Sequence, residues 1–435
     1  MFVKKKNFTN WGRNIYTNPK RCSPNNYEEL KKNIDKKSFI VHGNQRSYGG
    51  VCLNRSLAIS MKNFNQIKFF DEKKGIIEIE SGLLLNDLLP VIIAKGWFIP
   101  VTPGTKHVSF GGMIANNVHG KNTYKNQIKY YVKEIKLLGL NKKIIKCSNK
   151  RNKKIFYLTI GGFGLTGIIL TVTLKLKKIY SPYLNQKIIE FNNYKQFYSV
   201  SNNIDNHEYS VSWISNFTKK KIQGLIYLSK HSKIKNNNLV FFRNKKIGLI
   251  NLFISKLIVK NHCFSRIIHF IYRNYKKYFY NKLCNIDEIF YPQDYFIDWN
   301  KLYGRKGFFE IQFIIPKNKF RKILAEISTF FEKEKVFSPF IIVKRYDEKG
   351  KYLNFCGSGY SISFDFEINK SFKILKLFFN SLIKNYKLRV NFSKDLVVNK
   401  TNASNYSEFK IFKKEILLLN PQKKINSFFS KRLEI

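Results

Sequence analysis

A chain of 435 residues is too long for one ordinary hydrophobic core, so two domains are expected. Hydrophobic content of 44% with 16% aromatic residues excludes a disordered polypeptide. The formal net charge of +51 is spread as lysine over the whole length, without a basic-aromatic module or zinc spacing; this ranks compositional bias first, an anionic lipid surface second and nucleic acid last.

The six cysteines form no C-x-x-C pair, which fits reduced thiols in a cytoplasmic protein and offers no metal site. Basic residues near the start have no apolar run behind them, so no signal peptide is expected. No apolar stretch reaches the roughly 18 residues that a spanning helix needs.

In chain order, periodicity predicts a helix from about Asn26 to Lys36 and a short buried strand at Phe39–His42. That strand leads into G-N-Q-R-S-Y-G-G, Gly43 to Gly50, a loop whose amides and Arg46 suit an anion. Strands follow at Leu57–Met61 and across Gly75–Gly82. Leu84–Ala94 has helical spacing, with Pro90 arguing against an unbroken helix. The stretch Val101–Asn122 then holds a Pro103-Gly104 turn, the Gly111-Gly112 pair and His119-Gly120-Lys121. Paired glycines let backbone approach a ligand closely.

A hairpin is expected at Val132–Leu138 and Lys143–Cys147. Gly161, Gly162, Gly164 and Gly167 then precede Ile168–Leu176, which alternates at period two. These glycines open a strand, where a dinucleotide fingerprint opens a helix, so the site is not a Rossmann site. Further strands are read at Tyr209–Ile214, Ile222–Leu228, Phe308–Ile315, Phe340–Lys344 and Ser361–Phe366; Glu310 and Gln312 share one face. A helix is expected at Asn318–Lys333. Residues 234–285 mix large apolar residues with spaced lysine and arginine. That pattern suits either helices lying on an anionic membrane or helices packed on the domain with lysine outside. Lys387–Phe392 reads as strand into Ser393-Lys394-Asp395, and Ser407–Leu418 as helix.

Gln45-Arg-Ser-Tyr-Gly49, Pro103-Gly-Thr105, Gly111-Gly112 with His119-Gly-Lys-Asn122, and Ile160–Gly167 occur here in one order. Trp299–Gly304, Gln312-Phe313, Ser393-Lys-Asp395 and Lys431–Glu434 follow. Together they resemble the FAD-binding oxidoreductases of the vanillyl-alcohol oxidase / p-cresol methylhydroxylase type, nearest to members that oxidise the 2′-hydroxyl of a polyprenyl-phosphoryl pentose. The resemblance implies an α+β fold: a two-part FAD domain, 1–180 completed by 388–435, and a substrate domain, 181–387, on an antiparallel sheet. It implies dissociable FAD, because Arg46-Ser47 stands where covalently linked relatives carry histidine.

The resemblance also assigns roles. Gly43, Asn44, Gln45, Arg46, Ser47, Tyr48 and Gly49 would hold FAD, with Pro103, Gly104, Thr105, Gly111, Gly112, Asn116, Asn117 and His119. Gly162, Gly164, Gly167 and Ile168 would complete that pocket. His119, Lys394 and Tyr48 would be catalytic; Lys121, Gln312, Lys344, Ser363 and Lys394 would meet substrate. Lys394 would act either as base or as a cation stabilising the alkoxide.

The sequence departs from the family pattern at Gln45, Gly50, Ser363 and Asn391. The implied partners are a sugar or polyprenyl-phosphate-sugar substrate, a short-chain reductase completing an epimerisation, and an anionic membrane touched from its cytoplasmic side. The rivals are a soluble aldonolactone or alditol oxidase using oxygen, and a basic membrane- or nucleic-acid-binding protein with an empty flavin site.

Overall fold

The computed structural model describes residues 8–35, 38–234, 249–278, 281–296 and 298–435. Near the N-terminus, strand Leu57–Ser60 lies between Lys20–Cys22 and Ile40–His42, all parallel. The helix Tyr27–Ile34 covers them. Asn26 caps it by accepting from the Glu29 amide, and its apolar stripe buries Leu30 and Ile34.

A five-stranded antiparallel sheet follows, in the order Ile144–Ser148, Val132–Leu138, Ile168–Lys175, Ile76–Glu80, Ile67–Asp71. The strand after the glycines is therefore its centre, and Ile168–Leu174 is buried almost throughout, as a central strand requires. The helix Leu85–Ala94 packs beside this sheet with Pro90 inside it, so proline does not break it. Pro90 faces solvent, and the first-turn amides of Leu85 and Asn86 are satisfied from outside by the carbonyls of Val108 and Lys106. The helix Lys153–Thr159, ahead of the glycines, carries no clear apolar period and is not foreshadowed in the sequence.

An eight-stranded antiparallel sheet forms the rest of the scaffold, in the order Asn281–Asn285, Tyr183–Phe191, Ile222–His231, Tyr209–Phe217, Ile341–Glu348, Gly357–Glu367, Phe308–Ile315, Arg389–Val390. Helices Tyr194–Asn202, Phe320–Glu334 and Phe372–Tyr386 lie with this sheet around one aromatic-rich core built on Phe197, Phe313, Phe364 and Phe379. The last strand is shorter than the sequence suggests. Lys387, left-handed at φ 51°, ends the preceding helix, and after Val390 the chain turns inward. Residues 425–433 return to the first strands: Phe39 bridges Ile425, and the Asn54 side chain donates to the Asn426 carbonyl at 2.8 Å.

Of the segment 234–285, residues 235–248 and 279–280 lie outside the described residues. The remainder contains helices Leu249–Lys260 and His262–Lys277. The second turns a polar stripe inward, Ser265, His269 and Arg273, and leaves Ile267, Phe270, Ile271 and Tyr275 exposed at 56–60%. This reverses the ordinary packing of a surface helix, with lysine outside, that the sequence also allows. Among the described residues no helix is long and apolar enough to cross a membrane.

Candidate functional site

A cavity of about 910 Å³ runs between the glycine loops and the eight-stranded sheet. That is the upper size for a small-molecule or cofactor site.

One wall is the first loop. Asn10 and Asn14 both donate to the Tyr48 carbonyl, and Gln45, left-handed at φ 52°, donates to the Thr9 carbonyl at 3.0 Å. Arg46 lies over the Trp11 ring at 3.9 Å, with its buried Nε unpartnered. Gly43 is required here, since a Cβ would sit 1.8 Å from Ser109 Oγ. That serine caps the short helix Phe110–Ala115, which presents Gly111 and Gly112 to the cavity. The strand-opening loop packs on the end of this helix through Phe163 N to Ala115 O, 2.8 Å, and Gly161 N to Ile114 O, 3.0 Å. Gly164 has φ +74° and open space where its Cβ would point.

The loop after Pro103 is pinned from across the cavity. Asp294 accepts from Thr105 Oγ1 at 3.0 Å and from the Lys106 amide at 2.7 Å. Lys106 Nζ pairs with Asp287 at 2.7 Å, both fully buried.

The opposite wall comes from the large sheet. Gln312 Oε1 accepts from Asn391 Nδ2 at 2.8 Å and from His119 Nε2 at 3.2 Å, while Gln312 Nε2 donates to Ser361 Oγ at 2.8 Å. Asn391 Nδ2 also approaches His119 Nε2 at 3.5 Å, and Asn391 Oδ1 accepts from the Ser393 amide. Nδ1 is buried without a hydrogen-bond partner. Burial, then the charges of Lys344 and Lys394, hold the His119 pKa well below the usual histidine value, so the ring is neutral.

Three lysines converge beside it. Lys121 donates to the Ile289 carbonyl, Lys344 to the Gly120 carbonyl at 2.9 Å, and Lys394 to Glu310 Oε1 at 2.6 Å. Burial lowers Lys121 to about 8. Burial, then Lys394 and Lys121, lower Lys344 to about 7. Tyr48 sits under Lys394, 5.4 Å from its Nζ, and burial pushes its phenol far above the ordinary value.

Almost every residue expected at the site lines this one cavity, including Ser47, Asn116, Asn117, Gly167 and Ser363. Gly49, Gly162 and Ile168 stand behind its wall. Gly49 packs on the Asp395 backbone, Gly162 on the Leu158 carbonyl, and Ile168 in the core at 1% exposure. Ser361 and Asp365, whose alternation reads as plain sheet interior, do line the cavity, as do Trp11 and Trp299. The period-two pattern holds the signal for the first pair; Trp299 opens the stretch Trp299–Gly304 that carries the resemblance, and Trp11 has no signal.

The cavity suits a flavin dinucleotide. The amides and unpartnered Arg46 Nε offer donors to a pyrophosphate, the glycines leave room at the backbone, and neutral His119 and the lysines line the same cavity. Among the described residues no cluster of histidine, cysteine and carboxylate could hold a metal ion.

Comparison with known proteins agrees. The family model described as FAD binding domain matches residues 27–148. Over 363 residues, 77% of this chain and 78% of the other protein, the sequence is 27% identical to a decaprenylphosphoryl-beta-D-ribose oxidase of Mycolicibacterium smegmatis. It is 27% identical over 174 residues to the L-gulonolactone oxidase of Bos taurus, covering 39% of this chain and 40% of that protein. It is 20% identical over 229 residues to the D-arabinono-1,4-lactone oxidase of Kluyveromyces lactis, covering 49% of this chain and 42% of that protein.

Proposed function

We propose that this FAD-dependent oxidoreductase, a member of the vanillyl-alcohol oxidase / p-cresol methylhydroxylase family, oxidises a secondary hydroxyl of a pentose carried on a polyprenyl phosphate. Residues 1–180 with 388–435 would form the flavin unit and 181–387 the cap. The first loop, the stretch Pro103–Asn117 and the loop ending at Gly167 would hold FAD without a covalent bond. When bound, the flavin supplies the hydride acceptor. The rest falls to side chains of this chain: His119, neutral, and Gln312 orient the sugar, while Lys394 and Tyr48 face the hydroxyl that loses its proton.

The observation that supports a lipid-linked substrate over a free lactone is an apolar annex of the same cavity. Ile188, Trp213, Tyr227 and Ile342 of the sheet line it together with Ile268 and Tyr272 of helix His262–Lys277. Trp213 meets the His269 and Tyr272 rings edge-on at 5.0 and 5.3 Å. The same helix carries the exposed apolar ridge Ile267, Phe270, Ile271 and Tyr275, of which Tyr275 also lines the cavity. With Arg266 and Lys276 beside it, the ridge suits the surface of an anionic bilayer that delivers such a chain. A reductase that returns the keto sugar to the epimeric alcohol would complete the sequence.

Each methylene buried in the annex is worth about 0.8 kcal/mol, so a few isoprene units lower KM by about tenfold or more. A farnesyl-phosphoryl pentose is therefore expected to show a far lower KM than the phosphoryl pentose lacking the chain. Ile188→Glu should erase that difference and leave the KM of the chainless sugar unchanged. Equal KM values for the two in wild type would favour the free-sugar reading.

The lysine cluster gives a pH test of the phosphate. Lys344 is charged below about 7 and neutral above it. KM for the phosphorylated substrate is therefore expected to rise as pH increases through 7, and Lys344→Met should show the high value at every pH. A KM flat across neutrality in wild type contradicts the assignment.

A further inference from the structure

The lysine wall holds two carboxyl groups that the steps above leave without a role. Glu310 and Asp365 are directly opposite each other on the antiparallel strands Phe308–Ile315 and Gly357–Glu367. Both line the cavity, at 5% and 6% exposure. Lys394 Nζ donates to Glu310 at 2.6 Å, and the Tyr303 hydroxyl donates to Asp365 Oδ2 at 3.2 Å.

Two neighbouring carboxyl groups in a water-poor wall do not both ionise without a large cost. Burial first, and the charge of Glu310 next, push Asp365 well above the ordinary carboxylate range. The other titratable groups facing the pair are Lys344 on the adjacent strand, Tyr48 from the first loop and Tyr303. Both phenols are held protonated, mainly by burial. Lys394 and Glu310 stand as a pair at 2.6 Å beside Asp365.

We propose that Glu310 takes the hydroxyl proton of the substrate, with Asp365 directly across the strand pair and Lys394 paired to Glu310. The assignment rests on the reading that the substrate is a sugar alcohol. In the step the O–H bond breaks and its proton passes to the Glu310 carboxylate. Its electron pair becomes the second bond of the new carbonyl. The C–H bond would break with both electrons, for which bound FAD would supply the two-electron acceptor, leaving ketone and glutamic acid. Lys394, already paired to Glu310, offsets the negative charge that builds on the substrate oxygen. Glu310 is two residues from Gln312 on one strand face, so it lies about 7 Å along the strand from the amide that touches His119. That spacing fits a sugar ring lying between the two.

The test is Glu310→Gln, with Glu310→Asp and Asp365→Asn beside it, in the FAD-loaded protein. Flavin reduction is read in a rapid-mixing instrument with a farnesyl-phosphoryl pentose or an aldonolactone, whichever reduces wild type. Glu310→Gln is expected to slow reduction at least about a hundredfold with little change in flavin content, and Glu310→Asp to restore part of the rate. A rate within about threefold of wild type overturns the proposal.

A second readout needs no substrate. The infrared carbonyl band of a protonated carboxylic acid is expected in wild type at neutral pH and absent in Asp365→Asn. Its absence in wild type overturns the shared-proton arrangement. If no sugar alcohol reduces the wild-type flavin, the functional reading fails, and the infrared band still decides the carboxyl pair.

Discussion

Lys394→Met is expected to give a folded, yellow protein whose flavin is reduced by substrate about a hundred- to a thousandfold more slowly, the loss of about 3–4 kcal/mol of transition-state stabilisation. The ammonium is anchored at 2.6 Å to a carboxylate that is itself almost fully buried, so its position is fixed before substrate arrives. Such a preorganised charge pays no reorganisation at the moment of reaction. Methionine keeps the length and apolar stem of the side chain, so the fold and the contact over Tyr48 should survive. Flavin content measures that directly. The expected signature is a fall in the reduction rate with little change in the dissociation constant of FAD. Parallel loss of flavin and activity would show that Lys394 holds the pocket together and does not act on substrate.

Lys106→Met has the largest expected effect on stability. Lys106 and Asp287 are 3% and 0% exposed at their side chains and pair at 2.7 Å. Removing the cation takes a direct charge partner at 2.7 Å from a fully buried carboxylate, a loss of about 3–5 kcal/mol. Replacing both partners with apolar residues of similar size, Lys106→Met with Asp287→Leu, should recover most of that loss, because desolvating the pair offsets much of its attraction. Chemical unfolding of the two single variants and the double variant measures it. The pair also has a functional consequence. Asp287 belongs to the helix Ile286–Phe290, whose Ile289 carbonyl receives Lys121, so loosening it should release one lysine of the cluster. Near-wild-type stability for Lys106→Met would contradict the pairing.

Much of this architecture is legible in the sequence because its local rules agree. Strand Phe308–Ile315 follows its alternation to the residue, and the glycines before Ile168 open a strand as their β-branched sequel implies. The loops of the site are legible because glycine, asparagine and proline mark close backbone approach. The cation cluster is not legible. With 79 lysines and arginines in the chain, composition and periodicity single out no lysine; the resemblance alone names Lys121, Lys344 and Lys394, and the fold brings them to one cavity. Glu310 and Lys394 are 84 positions apart, and nothing local links them. The inverted helix His262–Lys277 is similar: its period is plain, but which face meets the sheet depends on Ser215 and Glu190, which receive His269 and Arg273. Pro90 misleads for a physical reason. It faces solvent, where a missing amide bond costs little, and the first turn of its helix is bonded from outside.

The most direct test of the central claim is an anaerobic titration of the purified yellow protein with a polyprenyl-phosphoryl pentose, followed by acid precipitation. The account predicts that the flavin absorption bleaches in proportion to added substrate, that a keto sugar accumulates one for one, and that acid releases the FAD into the supernatant. Flavin that stays oxidised with this substrate but bleaches with a free aldonolactone would contradict the lipid-linked reading. Flavin retained in the pellet would contradict the dissociable cofactor.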